Sequence, residues 1–185
     1  MAKSYQDIQG WCDFEDVYRT VAEQVPDGST LVEVGTWLGR SVVYLASQLQ
    51  QLNKPNAKIY AIDLFCGQQD DDRMNHMLES MGGTFHDAFV NNCRDCGVSE
   101  MVIPIIGDSA ASAAMFADDC LDFVFIDALH TYEAVMKDIV AWKPKVRRGG
   151  TIGGHDIDRS CVAQAVREHF PAFAFHEPRT WLQKL

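Results

Sequence analysis

The chain has 185 residues, enough for one domain and short for two. Hydrophobic residues make up 47% and charged residues 23%, a globular balance that excludes wholesale disorder. Lys and Arg number 16 against 26 Asp and Glu, so the net charge is −10, which argues against nucleic acid as a partner.

Trp11, Phe14, Val17, Tyr18, Val21 and Val25 fall at helical spacing, and Pro26-Asp27-Gly28 ends that helix. Thr30 to Val34 then reads as a buried strand entering a glycine turn, followed by a helix over 40–52. A second strand covers 57–62 and closes on Asp63; a helix over 84–97 and a third strand over 101–106 follow. After Gly107-Asp108-Ser109 comes a short Ala-rich helix over 110–117. The fourth strand, 121–126, ends at Asp127, and the helix over 131–142 stops before Pro144. A fifth strand, 151–154, runs into His155-Asp156; a helix over 159–170 and two short strands, about 172–176 and 180–184, complete the pattern.

Alternating strands and helices predict a single α/β domain with a doubly wound, mostly parallel sheet. The last two strands are separated by Glu177-Pro178-Arg179 only, too short for a parallel crossover, so they should form an antiparallel hairpin. Residues 66–83 carry an acidic run, Met74, Met77, Met81 and Gly82-Gly83, and read as a long loop that would act as a lid. Residues 1–27 read as an N-terminal helical lid segment. No apolar run of about 18 residues predicts a membrane span, and Met1 to Gly10 lacks the apolar core of a secretory signal. The six cysteines are therefore expected as reduced thiols in a cytoplasmic protein. The Cys93/Cys96 pair has no second pair to complete a zinc site.

Ligands of an open parallel sheet bind beyond the carboxyl ends of its strands. Each predicted parallel strand has an acid there: Glu33, Asp63, Asp108, Asp127 and Asp156. The first turn reads Glu33-Val34-Gly35-Thr36-Trp37-Leu38-Gly39-Arg40-Ser41. It lacks the middle glycine of a dinucleotide turn, and Trp37 fills the space. Glu33 opposes a pyrophosphate and suits a cationic ligand end, while Asp63 is placed to bond ribose hydroxyls. An adenosine bearing an amino acid and no phosphate, S-adenosylmethionine, fits both ends.

This first turn resembles the first motif of class I S-adenosylmethionine-dependent methyltransferases, in the form found in small-molecule O-methyltransferases of the catechol and caffeoyl-CoA types. Leu121 to His130 is similar to their fourth-strand motif. His130-Thr131-Tyr132-Glu133, then Asp138, Trp142, Pro144 and Gly149 to Asp156, resemble a bacterial and phage branch that includes macrocin O-methyltransferase-like and cephalosporin-hydroxylase-like proteins. The resemblance implies a Rossmann-like seven-stranded sheet with an antiparallel C-terminal strand. It also implies that Glu33, Gly35, Thr36, Trp37, Gly39 and Ser41 surround the methionine part. Asp63 would bind the ribose with Leu64 and Phe65 beside the adenine, and Asp108 and Ser109 would meet the adenine edge.

In the catechol-type enzymes, the acid ending the fourth strand and a pair after the fifth hold a divalent cation. Those positions match Asp127, His155 and Asp156. The cation would be magnesium or manganese; His155 stands where a carboxylate is usual, which weighs against magnesium and would tolerate a softer ion such as manganese, iron or zinc. His130, three residues after Asp127, matches a basic catalytic position and would accept the acceptor's proton near neutral pH, beside Asp127. The expected activity is methyl transfer to an oxygen of a small molecule, metal-assisted, with a homo-oligomer left open. A metal-dependent hydroxylase or a non-catalytic binding protein of the same fold is the alternative.

Overall fold

Strand–helix alternation carries through the computed structural model, which describes residues 3–67 and 72–185. In chain order the elements are α1 (Glu15–Gln24), β1 (Thr30–Val34), α2 (Arg40–Gln51), β2 (Lys58–Asp63), α3 (Asp72–Ser80), α4 (His86–Asp95), β3 (Val102–Ile106), α5 (Ser109–Ser112), β4 (Leu121–Ile126), α6 (Tyr132–Trp142), β5 (Val146–Gly154), α7 (Ser160–His169), β6 (Ala174–His176) and β7 (Thr180–Lys184). They form one seven-stranded sheet of order β3-β2-β1-β4-β5-β7-β6. The first five strands run parallel, and β7 lies antiparallel between β5 and β6, so the expected terminal hairpin forms. Among the described residues no helix is long and apolar enough to cross a membrane.

Side chains alternate across a strand, and β1 shows the consequence. Val32 and Val34 face the layer that contains Trp142, Ile139 and Val166, while Leu31 faces the opposite layer with Tyr18, Val42 and Phe125. Helix α1 buries Val17, Tyr18, Val21 and Ala22 against the sheet. Each large apolar side chain so buried contributes about 1.5–3 kcal/mol.

Two expectations about elements need correction. Residues 66–83 are not one long loop: helix α3 occupies Asp72–Ser80, and Met74, Met77 and Leu78 pack on the core. The part of that expected lid at residues 68–71 lies outside the described residues, as do residues 1 and 2 of the N-terminal segment. Strand β5 begins at Val146, five residues earlier than its sequence suggests, with a register irregularity opposite β4 and Gly149 at φ +81°.

Gly35 turns the chain at the carboxyl edge of the sheet. Its amide donates to Ile62 O at 2.8 Å, and the Asp127 amide donates to Val34 O at 2.8 Å, so the β1 and β4 ends interlock. Its φ is +83°, and an added Cβ would lie 2.1 Å from the backbone oxygen of Asp127. The Gly35→Ala variant is therefore expected to lose upwards of about 3 kcal/mol of stability, because backbone on both sides must move. Urea unfolding checks this, and a wild-type midpoint would mean the turn is looser than described.

Candidate functional site

At the carboxyl edge, Asp63 organises the turn after β1. Its Oδ2 accepts from the amides of Thr36 and Trp37, each at 2.7 Å, and its Oδ1 accepts from the Phe65 amide at 2.7 Å. A carboxylate has about four acceptor positions, so three backbone bonds leave one for a ligand hydroxyl. Trp37 and Phe65 adopt left-handed φ values of +44° and +52°, a strained backbone that these bonds hold in place. The Thr36 hydroxyl and Trp37 Nε1 are buried with no hydrogen-bond partner among the described residues. Unpaired polar atoms at a strand end fit a polar ligand. The Trp37 ring stacks on Trp11 at 5.5 Å, and Trp11 is 69% exposed. Gly39 caps α2 in a left-handed conformation, with Phe89 filling the space a side chain would need. Leu64 points outward, whereas Phe65 is turned into the core against Phe89, away from the edge where an adenine was expected.

Glu33 does not reach out from the strand end. It shares a face of β1 with Leu31, and so points into the layer under α1 and α2. There it accepts from Tyr18 Oη at 2.8 Å and Ser41 Oγ at 2.5 Å and is almost fully buried. Burial pushes its carboxyl up to about 8, although both hydrogen bonds pull the other way. Glu33 and Ser41 thus bond one another. Tyr18, fifteen positions from Glu33 and on another element, gave no sign in the spacing.

After β3, Asp108 caps α5 through the Ala111 amide at 3.0 Å and meets Lys137 at 3.3 Å. Ser109 donates to Asp138, a buried acid on α6. Burial pushes the Asp138 carboxyl up to about 6, against the pull of Ser109.

The ends of β4 and β5 bring three groups together. Asp127, His130 and Asp156 each offer a ligand atom within 4.8 Å of the others. His130 Nε2 lies 2.8 Å from Asp156 Oδ2 and 3.4 Å from Asp127 Oδ1. The third member of this group is His130. His155, expected beside the two acids as a metal ligand, turns its Nε2 to Asp13 at 2.7 Å and keeps Nδ1 at 3.7 Å and 3.8 Å from Asp127 and Asp156. Its ring packs on Phe14, which fixes that orientation. Arg179 links Asp13 at 3.1 Å to Asp156 Oδ1 at 3.2 Å. Two carboxylates and an imidazole suit a divalent ion of borderline softness.

Hydrogen bonding to the carboxylates of Asp127 and Asp156 raises His130 to about 9. With no cation present it therefore holds a proton at neutral pH, unlike the neutral base expected from its sequence position. Burial pushes both acids up, but His130 and its neighbours outweigh it, and both end below the usual carboxylate range. Asp13 and Arg179 carried no sequence signal, since they lie far apart in the chain and outside every motif.

Comparison with known proteins adds to this geometry. A family model described as a methyltransferase domain matches residues 32–157, from β1 through the acids after β5. Among solved structures, the O-methyltransferase NovP superposes with a TM-score of 0.72 at 19% identity, over 92% of this chain and 78% of that one. A SAM-dependent O-methyltransferase from Thermotoga maritima gives 0.67 at 12% identity, over 97% and 70%. CalS11, a TDP-rhamnose 3′-O-methyltransferase of calicheamicin biosynthesis, gives 0.59 at 16% identity, over 92% and 76%. At these identities the likeness is one of fold.

Proposed function

The chain belongs to the methyltransferase domain family, and on that premise we propose that it transfers the methyl group of S-adenosylmethionine to an oxygen of a small-molecule acceptor, assisted by a divalent cation. The observation that carries this reading is the Asp127–His130–Asp156 group beside the interlocked Gly35 turn. It puts acids and an imidazole one turn from the place a cofactor would occupy. The O-methyltransferase neighbours support oxygen as the acceptor atom.

S-adenosylmethionine supplies a methyl group on a sulfonium, which leaves by in-line displacement. A divalent cation supplies a charge that lowers the acceptor hydroxyl's pKa. The chain's own residues do the rest. Asp63 holds the Thr36 and Trp37 amides and offers its remaining acceptor position to a ribose hydroxyl. Thr36 Oγ1 meets the amino-acid end, and Leu64 covers the adenine with Ser109 at its edge. One oxygen each of Asp127 and Asp156 would hold the cation, beside His130, while Asp156 Oδ1 stays with Arg179. With the cation's charge beside it, His130 would be neutral, face the acceptor and receive its proton. The N-terminal segment from residue 3 and helix α3 would cover the acceptor and exclude water, with Trp11 and Tyr5 shaping specificity. Alignment of oxygen, methyl and sulfur is the main source of rate.

The test has two parts. Calorimetry should show S-adenosylhomocysteine binding, and manganese alone should bind and broaden in its electron spin resonance spectrum. Chelation should abolish turnover and metal add-back restore it. His130→Ala is expected to lower turnover at least tenfold with cofactor affinity within about twofold of wild type. Full activity in EDTA would remove the cation from the reading, and a fully active His130→Ala would remove the base.

A further inference from the structure

Asp138 is a buried acid that the reaction proposed above does not use. It sits on α6, 4% exposed, and Ser109 Oγ is its hydrogen-bond partner among the described residues. The charged groups nearest it are Lys137 on its own helix and Asp108 beside Ser109. Ser109 opens α5 immediately after β3, and the Gly107 amide donates to the Asp63 backbone oxygen at 3.0 Å, so Ser109 and Asp63 share one edge of the sheet.

A free serine hydroxyl rotates to donate or to accept. An ionised carboxylate only accepts, so the Ser109 hydrogen is committed to Asp138. Toward a ligand at the edge, the Ser109 oxygen then has lone pairs and no hydrogen. Asp108 adds no donor there, since its carboxylate is turned to the Ala111 amide and Lys137. We infer that Asp138 is a positioning residue that fixes Ser109 as an acceptor, so that the β3 end selects a purine edge carrying an amino group and rejects one carrying a carbonyl. This rests on the reading that the adenosyl group lies at that edge. A carbonyl facing the part-buried Ser109 would meet lone pairs with no hydrogen between them, an unpaired and repulsive contact that the amino group avoids.

The probes are S-adenosylhomocysteine and its deaminated 6-oxo analogue, titrated by calorimetry at pH 8. Wild type should prefer the amino compound by tenfold or more. Asp138→Ala frees the Ser109 hydrogen, and the preference should fall at least fivefold while the amino compound still binds. Asp138→Leu keeps the branched shape of aspartate without an acceptor and should behave alike, which keeps the test available if the alanine variant does not fold. Ser109→Ala, which removes the oxygen, should also lose the preference. A purely structural role for Asp138 would weaken both ligands equally and leave their ratio unchanged, and that result overturns the inference. So does equal binding of the two compounds by wild type. Failure of wild type to bind S-adenosylhomocysteine at all is a different result: it overturns the parent reading, and this inference with it.

Discussion

Asp63→Ala is expected to weaken S-adenosylhomocysteine binding by between about tenfold and a hundredfold or more, and to lower stability by about 2–4 kcal/mol. Three backbone amides, those of Thr36, Trp37 and Phe65, lose a charged acceptor at once. Trp37 and Phe65 are also held at positive φ, so without the carboxylate the turn relaxes toward ordinary backbone. Asp63→Asn separates the two roles. Its carbonyl oxygen still accepts, but its amide nitrogen faces an N–H and repels it, so one side of the turn opens and the other holds. An intermediate loss is therefore expected for asparagine. Calorimetry and thermal melting on both variants check this; wild-type affinity in Asp63→Ala would exclude Asp63 from the site, ribose contact and turn alike.

Glu33→Gln is expected to stabilise the protein increasingly as pH rises. The Glu33 carboxyl titrates at about 8 when folded, against 4.5 for an ordinary glutamate, because burial penalises its charge. Between those values the folded protein keeps a proton that the unfolded chain has released. The stability associated with this group is therefore complete below about pH 4.5 and is lost as pH rises to about 8. About 3.5 pH units at about 1.4 kcal/mol each set a ceiling of about 5 kcal/mol. Glutamine keeps an acceptor for Tyr18 and offers Ser41 a donor, and it cannot ionise. Urea unfolding of both proteins at pH 5 and pH 8.5 should show the variant's advantage growing with pH. An advantage that stays flat with pH would mean that Glu33 is ionised in the folded state.

Much of the architecture was legible because its signals are local. Strands β1 and β4 are short apolar runs ending at Gly35 and Asp127, and their observed bounds match the sequence reading. Helix α3 was missed although Met74, Met77, Leu78 and Met81 repeat at helical spacing, because the acidic run before it and the Gly82-Gly83 pair after it resemble loop chemistry. The early start of β5 was hidden by Arg147-Arg148-Gly149-Gly150, which reads as a turn and is instead a stretch of strand across which the register against β4 shifts. The site was legible as a set of strand ends but not as pairings. Which histidine faces the two acids depends on Phe14 and Asp13 fixing His155 from a distant part of the chain. The direction of Glu33 was in principle readable, since strand parity with Leu31 turns it away from the edge.

Strand β1 lies between β2 and β4. The first of these neighbours follows it closely in the chain; the second comes only after β2, β3 and four helices. Pairing across that seam is the slow, non-local step of such a topology. Yet the Gly35 turn and Asp127 meet only when the seam has closed. A half-assembled sheet therefore contains no binding site, and a ligand cannot rescue it by holding one half. Ligand binding draws instead on the fully assembled state. It should raise the melting temperature of the domain as one cooperative transition, chiefly by slowing the opening of β1 from β4.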